Sequence, residues 1–285
     1  MDFMQPTTWE DALAAKAAAP ASVPIAGGTD VMVDLNFDRS RPEAILDLTR
    51  VPELREWAME DGSVRLGAGV SYTRVIAELG DSLPGLAMAS RTVGSPQIRN
   101  RGTVGGNLGS ASPAGDAHPP LLAARADVEL ASVRGTRRVP AREFFVAPKE
   151  SVLAGDELIA AVHISRAGAA EQFAKIGTRN AMVIAACSFA LSLDPVARRV
   201  GTGIGSAGPT PLVAAEAEAF LAGVLEEEGA WDDGRLPDSA LERFGELVAS
   251  AARPIDDVRS TAAYRVHALG VLARRTLAWA RGQEG

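Results

Sequence analysis

The chain has 285 residues, of which 47% are hydrophobic and 23% charged, and it carries a formal net charge of −7. That length supports two or three small domains with a core each, and the acidic balance excludes a nucleic-acid binder that works through a basic stripe. Its single cysteine, Cys187, excludes an intrachain disulfide and any cysteine-ligated iron–sulfur cluster held by this chain.

The opening MDFMQPTTWEDAL has no basic stretch leading into an apolar one. No apolar run reaches the length of a membrane span, so a cytoplasmic location is expected. Thr8-Trp9-Glu10-Asp11 predicts a capped helix start, and the alanine-rich run that follows ends at Pro20. Ser22 to Ala26 reads as a short strand, Val31 to Leu35 as a short helix and Ala44 to Leu48 as a second strand, which together make a small βαβ-like unit. From Leu54 to Met59 and on through Leu66 the pattern is a hairpin turning at Asp61-Gly62. Helices are expected over Tyr72 to Leu79, Leu83 to Val93 and Pro119 to Arg125. A hairpin follows around Arg134-Gly135, and then a strand alternates from Leu158 to Ser165. After a link around Gly168, Met182 to Leu193 and Arg199 to Gly205 read as a long hairpin. Helices near Ala214 to Leu225, Ser239 to Ala252 and Ser260 to Ala280 close the chain.

Two glycine-bearing stretches stand out from this background. Gln97 to Asp116 packs five glycines and two arginines into a segment with too little apolar content for a core helix or strand, so a loop is expected. Gly105-Gly106 after Thr103 permits close backbone approach to a ligand, and successive N–H groups form a nest that suits a pyrophosphate. Pro24-Ile25-Ala26-Gly27-Gly28-Thr29-Asp30-Val31 runs from an apolar segment through a Gly-Gly-Thr turn into a helix, an arrangement that aims helix-start N–H groups at a phosphate. Neither stretch is a P-loop or a Gly-x-Gly-x-x-Gly fingerprint. Two nests point to one long, doubly charged ligand.

AGGTD at Ala26 to Asp30, IRNRGTVGGN at Ile98 to Asn107 and SPAGD at Ser112 to Asp116 together resemble the FAD-binding subunits of the molybdenum hydroxylases. The resemblance continues through FAKIGTR at Phe173 to Arg179, GSAGPTPL at Gly205 to Leu212 and DVRSTAAYR at Asp257 to Arg265, so it spans nearly the whole chain. It is strongest to the separate flavin subunit of bacterial xanthine dehydrogenases and extends to the medium subunit of aerobic carbon monoxide dehydrogenase.

The resemblance implies an α+β protein: a two-domain FAD-binding fold of the vanillyl-alcohol-oxidase/PCMH type, then a C-terminal α+β domain of sheet plus helices. The implied divisions are a βαβ subdomain over 1–55, a second FAD-binding subdomain over 56–167 and the C-terminal domain over 171–285. It implies that FAD is bound by Pro24, Ile25, Ala26, Gly27, Gly28, Thr29, Asp30 and Val31, and by Thr103, Gly105, Gly106 and Asn107. Asp116 stands at the family's acidic position, where a carboxylate accepts from ligand hydroxyls; as a bare residue it reads equally well as the N-cap of the next helix. Lys175 occupies the place of a flavin-side lysine and Ile159 that of an apolar residue packed near the cofactor. Phe173 stands where the carbon monoxide enzyme's subunit has a tyrosine. Arg99 and Arg101 have three open readings: a grip on the pyrophosphate, a face to a partner, or plain exposure.

No catalytic residue and no metal site is expected in this chain. His118 reads as a structural hydrogen-bonder, Cys187 as buried and inert, and neither Ser110 nor Ser112 has a base beside it. The implied function is electron transfer within a xanthine dehydrogenase-like complex. A molybdenum-pterin large subunit and a small subunit with iron–sulfur (2Fe–2S) clusters are its partners, as a dimer of heterotrimers, with NAD or another acceptor taking the electrons. The same scaffold leaves open a carbon monoxide, aldehyde or N-heteroaromatic dehydrogenase, a stand-alone flavin reductase or oxidase, and a scaffold subunit without flavin.

Overall fold

The computed structural model describes residues 1–60, 62–165, 170–232 and 234–283. The first unit comprises β1 (Asp2–Met4), α1 (Trp9–Ala18), β2 (Val23–Ile25), α2 (Val31–Asn36) and β3 (Ala44–Asp47). Thr8 caps α1 by accepting a hydrogen bond from the Asp11 N–H at 3.1 Å, as its sequence predicts. Strands β1 and β2 flank β3, and both pair with it in parallel, so the βαβ unit gains a strand that three residues could not announce by pattern.

The second unit runs through β4 (Trp57–Glu60), β5 (Ser63–Gly67), α3 (Tyr72–Glu78), α4 (Pro84–Thr92), α5 (Pro96–Arg101), α6 (Val104–Ser110) and α7 (His118–Ala123). It continues with β6 (Asp127–Ser132), β7 (Gly135–Pro140), α8 (Ala141–Phe144), β8 (Phe145–Ala147), β9 (Glu150–Ser151) and β10 (Leu158–Ser165). Five of these strands form an antiparallel sheet in the order β4-β5-β10-β6-β7, with β10 at its centre. Leu54 lies in a 3₁₀ turn over Pro52–Arg55 rather than in the expected strand, because Pro52 fixes a helical φ at its start. The turn position Asp61 and the link at Gly168 lie outside the described residues. Strand β10 does not alternate cleanly: a bulge between Ile159 and Ala161 breaks the period, and Leu158 through Ile164 are all buried.

The expected loop over Gln97 to Asp116 is largely two short helices. Ser95 accepts from the Ile98 N–H and starts α5; Thr103 accepts from the Gly106 N–H at 2.9 Å and starts α6. Caps and burial of Val104 and Leu108 outweigh the poor helix propensity of two adjacent glycines.

The third unit comprises β11 (Ala170–Ile176), β12 (Cys187–Asp194), β13 (Arg199–Gly205), α9 (Ala215–Glu227), α10 (Asp238–Ala251) and α11 (Ala262–Ala280). The expected hairpin is thus a three-stranded antiparallel sheet, and its middle strand starts at Cys187, not Met182. Strand β11 went unseen because its face is turned toward the second unit and mixes Glu171, Phe173 and Lys175.

One core lies over the five-stranded sheet, built on Leu46, Leu66, Leu108, Leu130 and Phe144; a second joins β12 and β13 to the three C-terminal helices around Phe189, Leu221, Phe244 and Leu269. Each fully buried Leu or Phe contributes about 1.5–3 kcal/mol. Helix α7 is buried along its whole length at the seam, where Ala89, Ala123, Phe173 and Ala190 form a small cluster of their own. Near the end of the chain Asp257 is gripped by Arg259 and Arg265, which hold its carboxyl far below the usual carboxylate range, while Arg265 also donates to the Ser206 carbonyl at 2.6 Å. Among the described residues no helix is long and apolar enough to cross a membrane.

His118, at the start of α7, is fully buried beside the Phe145 ring, with Nε2 3.1 Å from the Asn107 carbonyl. Burial pushes its pKa down to about 4 from the ordinary 6.5. Between those values the unfolded chain binds a proton that the folded chain does not, so stability is full above pH 6.5 and falls as the pH drops toward 4. Urea titrations at pH 7 and pH 5 are expected to differ by about 2 kcal/mol from this group; a flat profile over that range would show that His118 charges freely in the fold.

Candidate cofactor-binding cleft

A cleft of about 610 Å³ opens where the first unit, the 93–116 segment and the β10 end of the large sheet meet. That volume lies within the roughly 300–1,000 Å³ of typical small-molecule and cofactor sites.

Its first wall is the turn from β2 into α2. Strand β2 pairs only with β3, and the chain then crosses Gly27 and Gly28 before α2 begins. The N–H groups of Gly27, Gly28, Thr29 and Asp30 donate to no acceptor among the described residues, which leaves a run of backbone donors at the start of α2. The turn presses on the second wall: a Cβ on Gly27 would lie 2.1 Å from the Arg101 carbonyl oxygen. Only a glycine allows this approach.

The second wall is the start of α6. A Cβ on Gly105 would fall 2.4 Å from that of Ala68, and the Gly105 N–H donates to the Ala68 carbonyl at 3.1 Å. The Gly106 N–H is taken by Thr103 and the Asn107 N–H by the Thr103 carbonyl. The second stretch is therefore not the open nest that its glycines led us to expect. Its glycines serve close packing, and what it presents is the Thr103 hydroxyl, the Asn107 side chain and an exposed Gly106.

The third wall carries charge. Asp116 lines the cleft, and its Oδ2 sits 2.6 Å from Lys175 Nζ, which also donates to the Thr92 carbonyl. Burial pushes the Asp116 carboxyl up, and the Lys175 ammonium pulls it partly back. The N-cap reading of Asp116 does not hold, since α7 starts after Ala117 with no side-chain cap. Lys175 is itself withdrawn from water, its side chain 6% exposed. Asp30 is likewise pushed up, by burial first and then by Asp34.

Of the residues expected to bind a cofactor, Pro24, Ala26 to Val31, Thr103, Gly105, Gly106, Asn107, Asp116 and Ile159 all line this one cleft. Ile25 does not; its side chain packs beneath Gly28. Lys175 stands behind Asp116. Arg99 donates to the Val93 and Gly94 carbonyls and braces the segment rather than facing the cleft, and Arg101 is exposed. Sequence reasoning missed Lys16, Tyr72, Glu157 and the stretch Met182 to Ile184, which the fold brings in from four separate places. Nothing in their local pattern marks them.

The cleft also holds polar atoms without partners. Asp116 Oδ1 and the Tyr72 hydroxyl are buried and have no hydrogen-bond partner among the described residues. Burial, with Asp116 and Asp30 adding, holds the Tyr72 phenol well above its ordinary pKa, so it is a neutral donor. Buried polar atoms are rarely left unpaired, and these are ready to meet a ligand.

Residues 1–166 match the family described as the FAD binding domain in molybdopterin dehydrogenase, and residues 172–280 match the CO dehydrogenase flavoprotein C-terminal domain. The chain belongs to the FAD-binding subunits of the molybdopterin dehydrogenases. Among the relatives of this flavoprotein, the xanthine dehydrogenase FAD-binding subunit of Escherichia coli O157:H7 is 29% identical, with 99% of this chain and 97% of the relative covered. The nicotine 6-hydroxylase medium subunit of Paenarthrobacter nicotinovorans is 31% identical over 96% of this chain and 95% of the relative. A solved carbon monoxide dehydrogenase from Hydrogenophaga pseudoflava superposes with a TM-score of 0.89 at 26% identity, covering 99% of this chain and 98% of that one. The α+β architecture expected from sequence, a two-part FAD-binding fold followed by a sheet-and-helix domain, is the observed one, and FAD is the cofactor of the family.

The residues present fit that cofactor: free backbone donors suit its diphosphate, and the unpaired Asp116 Oδ1 and Tyr72 hydroxyl suit its polar groups. Gly27→Ala is expected to part the first two walls and lower FAD affinity at least tenfold, measured by flavin fluorescence titration. Gly106→Ala, whose Cβ meets only Thr103 Oγ1 at 3.0 Å, should leave the thermal melt of the apoprotein nearly unchanged.

Proposed function

We propose that this flavoprotein holds FAD across the cleft and relays electrons from a (2Fe–2S) subunit to a final acceptor, within a complex whose large subunit carries a molybdenum-pterin centre. The observation that carries the reading is the run of free N–H groups from Gly27 to Asp30 facing the capped start of α6 in one cleft. Bound FAD supplies the redox chemistry. The chain's own part is to bind and orient it. Backbone donors at Gly27 to Asp30 take the diphosphate, Thr103 and Asn107 supply side-chain donors beside it, and Asp116 accepts from a hydroxyl or ring N–H. Lys175 favours the charged form of Asp116 against its burial and aims it, and Ile159 packs against the ligand. No nucleophile–base pair is needed, in keeping with a cleft in which Cys187 plays no part; burial pushes its thiol up to about 12.

The domain division at 55–56 and 167–171 belongs to the same proposal: the first two parts share the cleft and the third seats Lys175. So does a dimer of heterotrimers in the cytoplasm with NAD as acceptor. For the substrate of the complex we favour a purine such as xanthine, on the near full-length similarity to the E. coli subunit. An N-heteroaromatic substrate is the second reading, favoured by the similar identity and coverage of the nicotine 6-hydroxylase subunit.

The deciding measurement is the visible spectrum of the chain alone and with its co-purifying partners, followed by acid release of the chromophore. A releasable flavin on the chain, with iron–sulfur absorbance and molybdenum only in the complex, is the expected result. Colourless protein that takes up no added FAD would leave a scaffold subunit. Within this reading, Lys175→Met should weaken FAD binding roughly tenfold or more, the scale of a lost hydrogen bond to a charged group. Equal retention of FAD by that variant and the parent would remove Lys175 from the site.

A further inference from the structure

Part of the cleft is unexplained by the glycine stretches or by Asp116. Near the end of α1, Lys16 is only 6% exposed, yet it lines the cleft. Its Nζ donates to the Pro20 carbonyl at 2.8 Å and the Ser22 carbonyl at 2.7 Å, which uses two of the three N–H groups of an ammonium. Glu157, 7% exposed, lines the same cleft from the loop before β10. Arg137 binds both of its oxygens, at 2.7 and 2.8 Å, and the Ala154 N–H donates to Oε2 at 2.8 Å. Held mainly by Arg137, the Glu157 carboxyl lies below its ordinary range and is ionised at neutral pH. Oε1 has received one donor and has room for another. The two loops adjoin: a Cβ on Gly155 would lie 3.6 Å from the Pro20 Cβ. This part of the wall therefore offers a buried donor and a buried acceptor braced by adjoining loops, and a lysine buried to this degree with a hydrogen unspent among the described residues calls for a partner.

We infer that Lys16 and Glu157 hold the nucleoside end of the cofactor, Lys16 donating to a ring nitrogen of adenine and Glu157 accepting from its amino group or from a ribose hydroxyl. The inference rests on the FAD reading above and adds a basis for specificity. A site built to hydrogen-bond a group discriminates strongly against the analogue that lacks it, and FMN has no adenosine to offer. The chain thereby selects FAD over FMN at a place outside both glycine stretches.

The test uses the full-length apoprotein, titrated with FAD, FMN and ADP by fluorescence and calorimetry. Lys16→Met is expected to bind FAD about tenfold or more weakly with its FMN affinity unchanged, and ADP, which competes with FAD on the parent, should compete at least about tenfold less well on the variant. Glu157→Gln, which keeps the shape of the side chain, is expected to shift FAD and ADP in the same direction and serves alone should Lys16→Met melt early. Equal losses of FAD and FMN would show that Lys16 only ties down the 20–22 loop, and unchanged FAD affinity in both variants would equally overturn the assignment. Parent protein that binds none of the three ligands would instead sink the FAD reading itself.

Discussion

The Asp116–Lys175 ion pair is the interaction on which the cleft depends. Its two members come from different units, Asp116 from the segment before α7 and Lys175 from β11, and both side chains are largely withdrawn from water. Removing two charges from water is costly unless each is paired and hydrogen-bonded, so the pair is stable only while β11 stays seated against the second unit. The seating is itself electrostatic. Helix α4 has nine residues, about 12 Å of rise, and Glu171 and Lys175 lie four steps apart on β11, about 13 Å. Glu171 accepts from the Gly85 N–H at the helix start at 2.8 Å, and Lys175 donates to the Thr92 carbonyl at its end. Acid thus meets the positive end of the helix dipole and base the negative end. The strand is locked to the helix at both termini, and Lys175 is delivered to Asp116.

Across the cleft the governing constraint is steric. Gly27 and Gly105 admit main chain where any side chain would collide, so the first and second walls are set by backbone contact and hardly adjust. A rigid arrangement of backbone donors suits an invariant diphosphate, whose charge and shape do not change from one redox state to the next. Variable parts of a ligand need side chains instead, and these enter from elsewhere: Tyr72 from α3, Lys16 from α1, Glu157 from the approach to β10. In the proposed reading, affinity and specificity are thus drawn from different layers of the structure.

The chain is of the family of FAD-binding subunits of molybdopterin dehydrogenases. Its single cysteine cannot ligate a cluster, and among the described residues no group of histidine, cysteine or acidic side chains has the geometry to hold a metal ion. What it has is a cleft with fixed donors, two carboxylates whose pKa values burial raises, and a neutral phenol. Those features suit the positioning of a ligand, while the third unit contributes Lys175 to the ion pair with Asp116 and the core that keeps β11 in place.

The sequence by itself determined the identity of the fold and most of the backbone that lines the cleft. Thr8 and its box, the turn at Arg134-Gly135, the C-terminal helices and the AGGTD and TVGGN stretches act through neighbours a few residues away, and such local rules survive in one dimension. It misjudged Gln97 to Asp116 as a loop, because the caps at Ser95 and Thr103 and the burial of Val104 and Leu108 outweigh glycine's weak helix propensity. It missed β11 because that strand's pattern answers to a helix some eighty residues earlier. Only the tertiary structure decided that Gly105 spends its N–H group on Ala68, that Asp116 meets Lys175 instead of capping α7, and that Lys16 and Glu157 share one wall. Each of these is a contact between residues distant in the chain, and burial gives the charged ones their character; neither distance nor burial is written in the order of the residues.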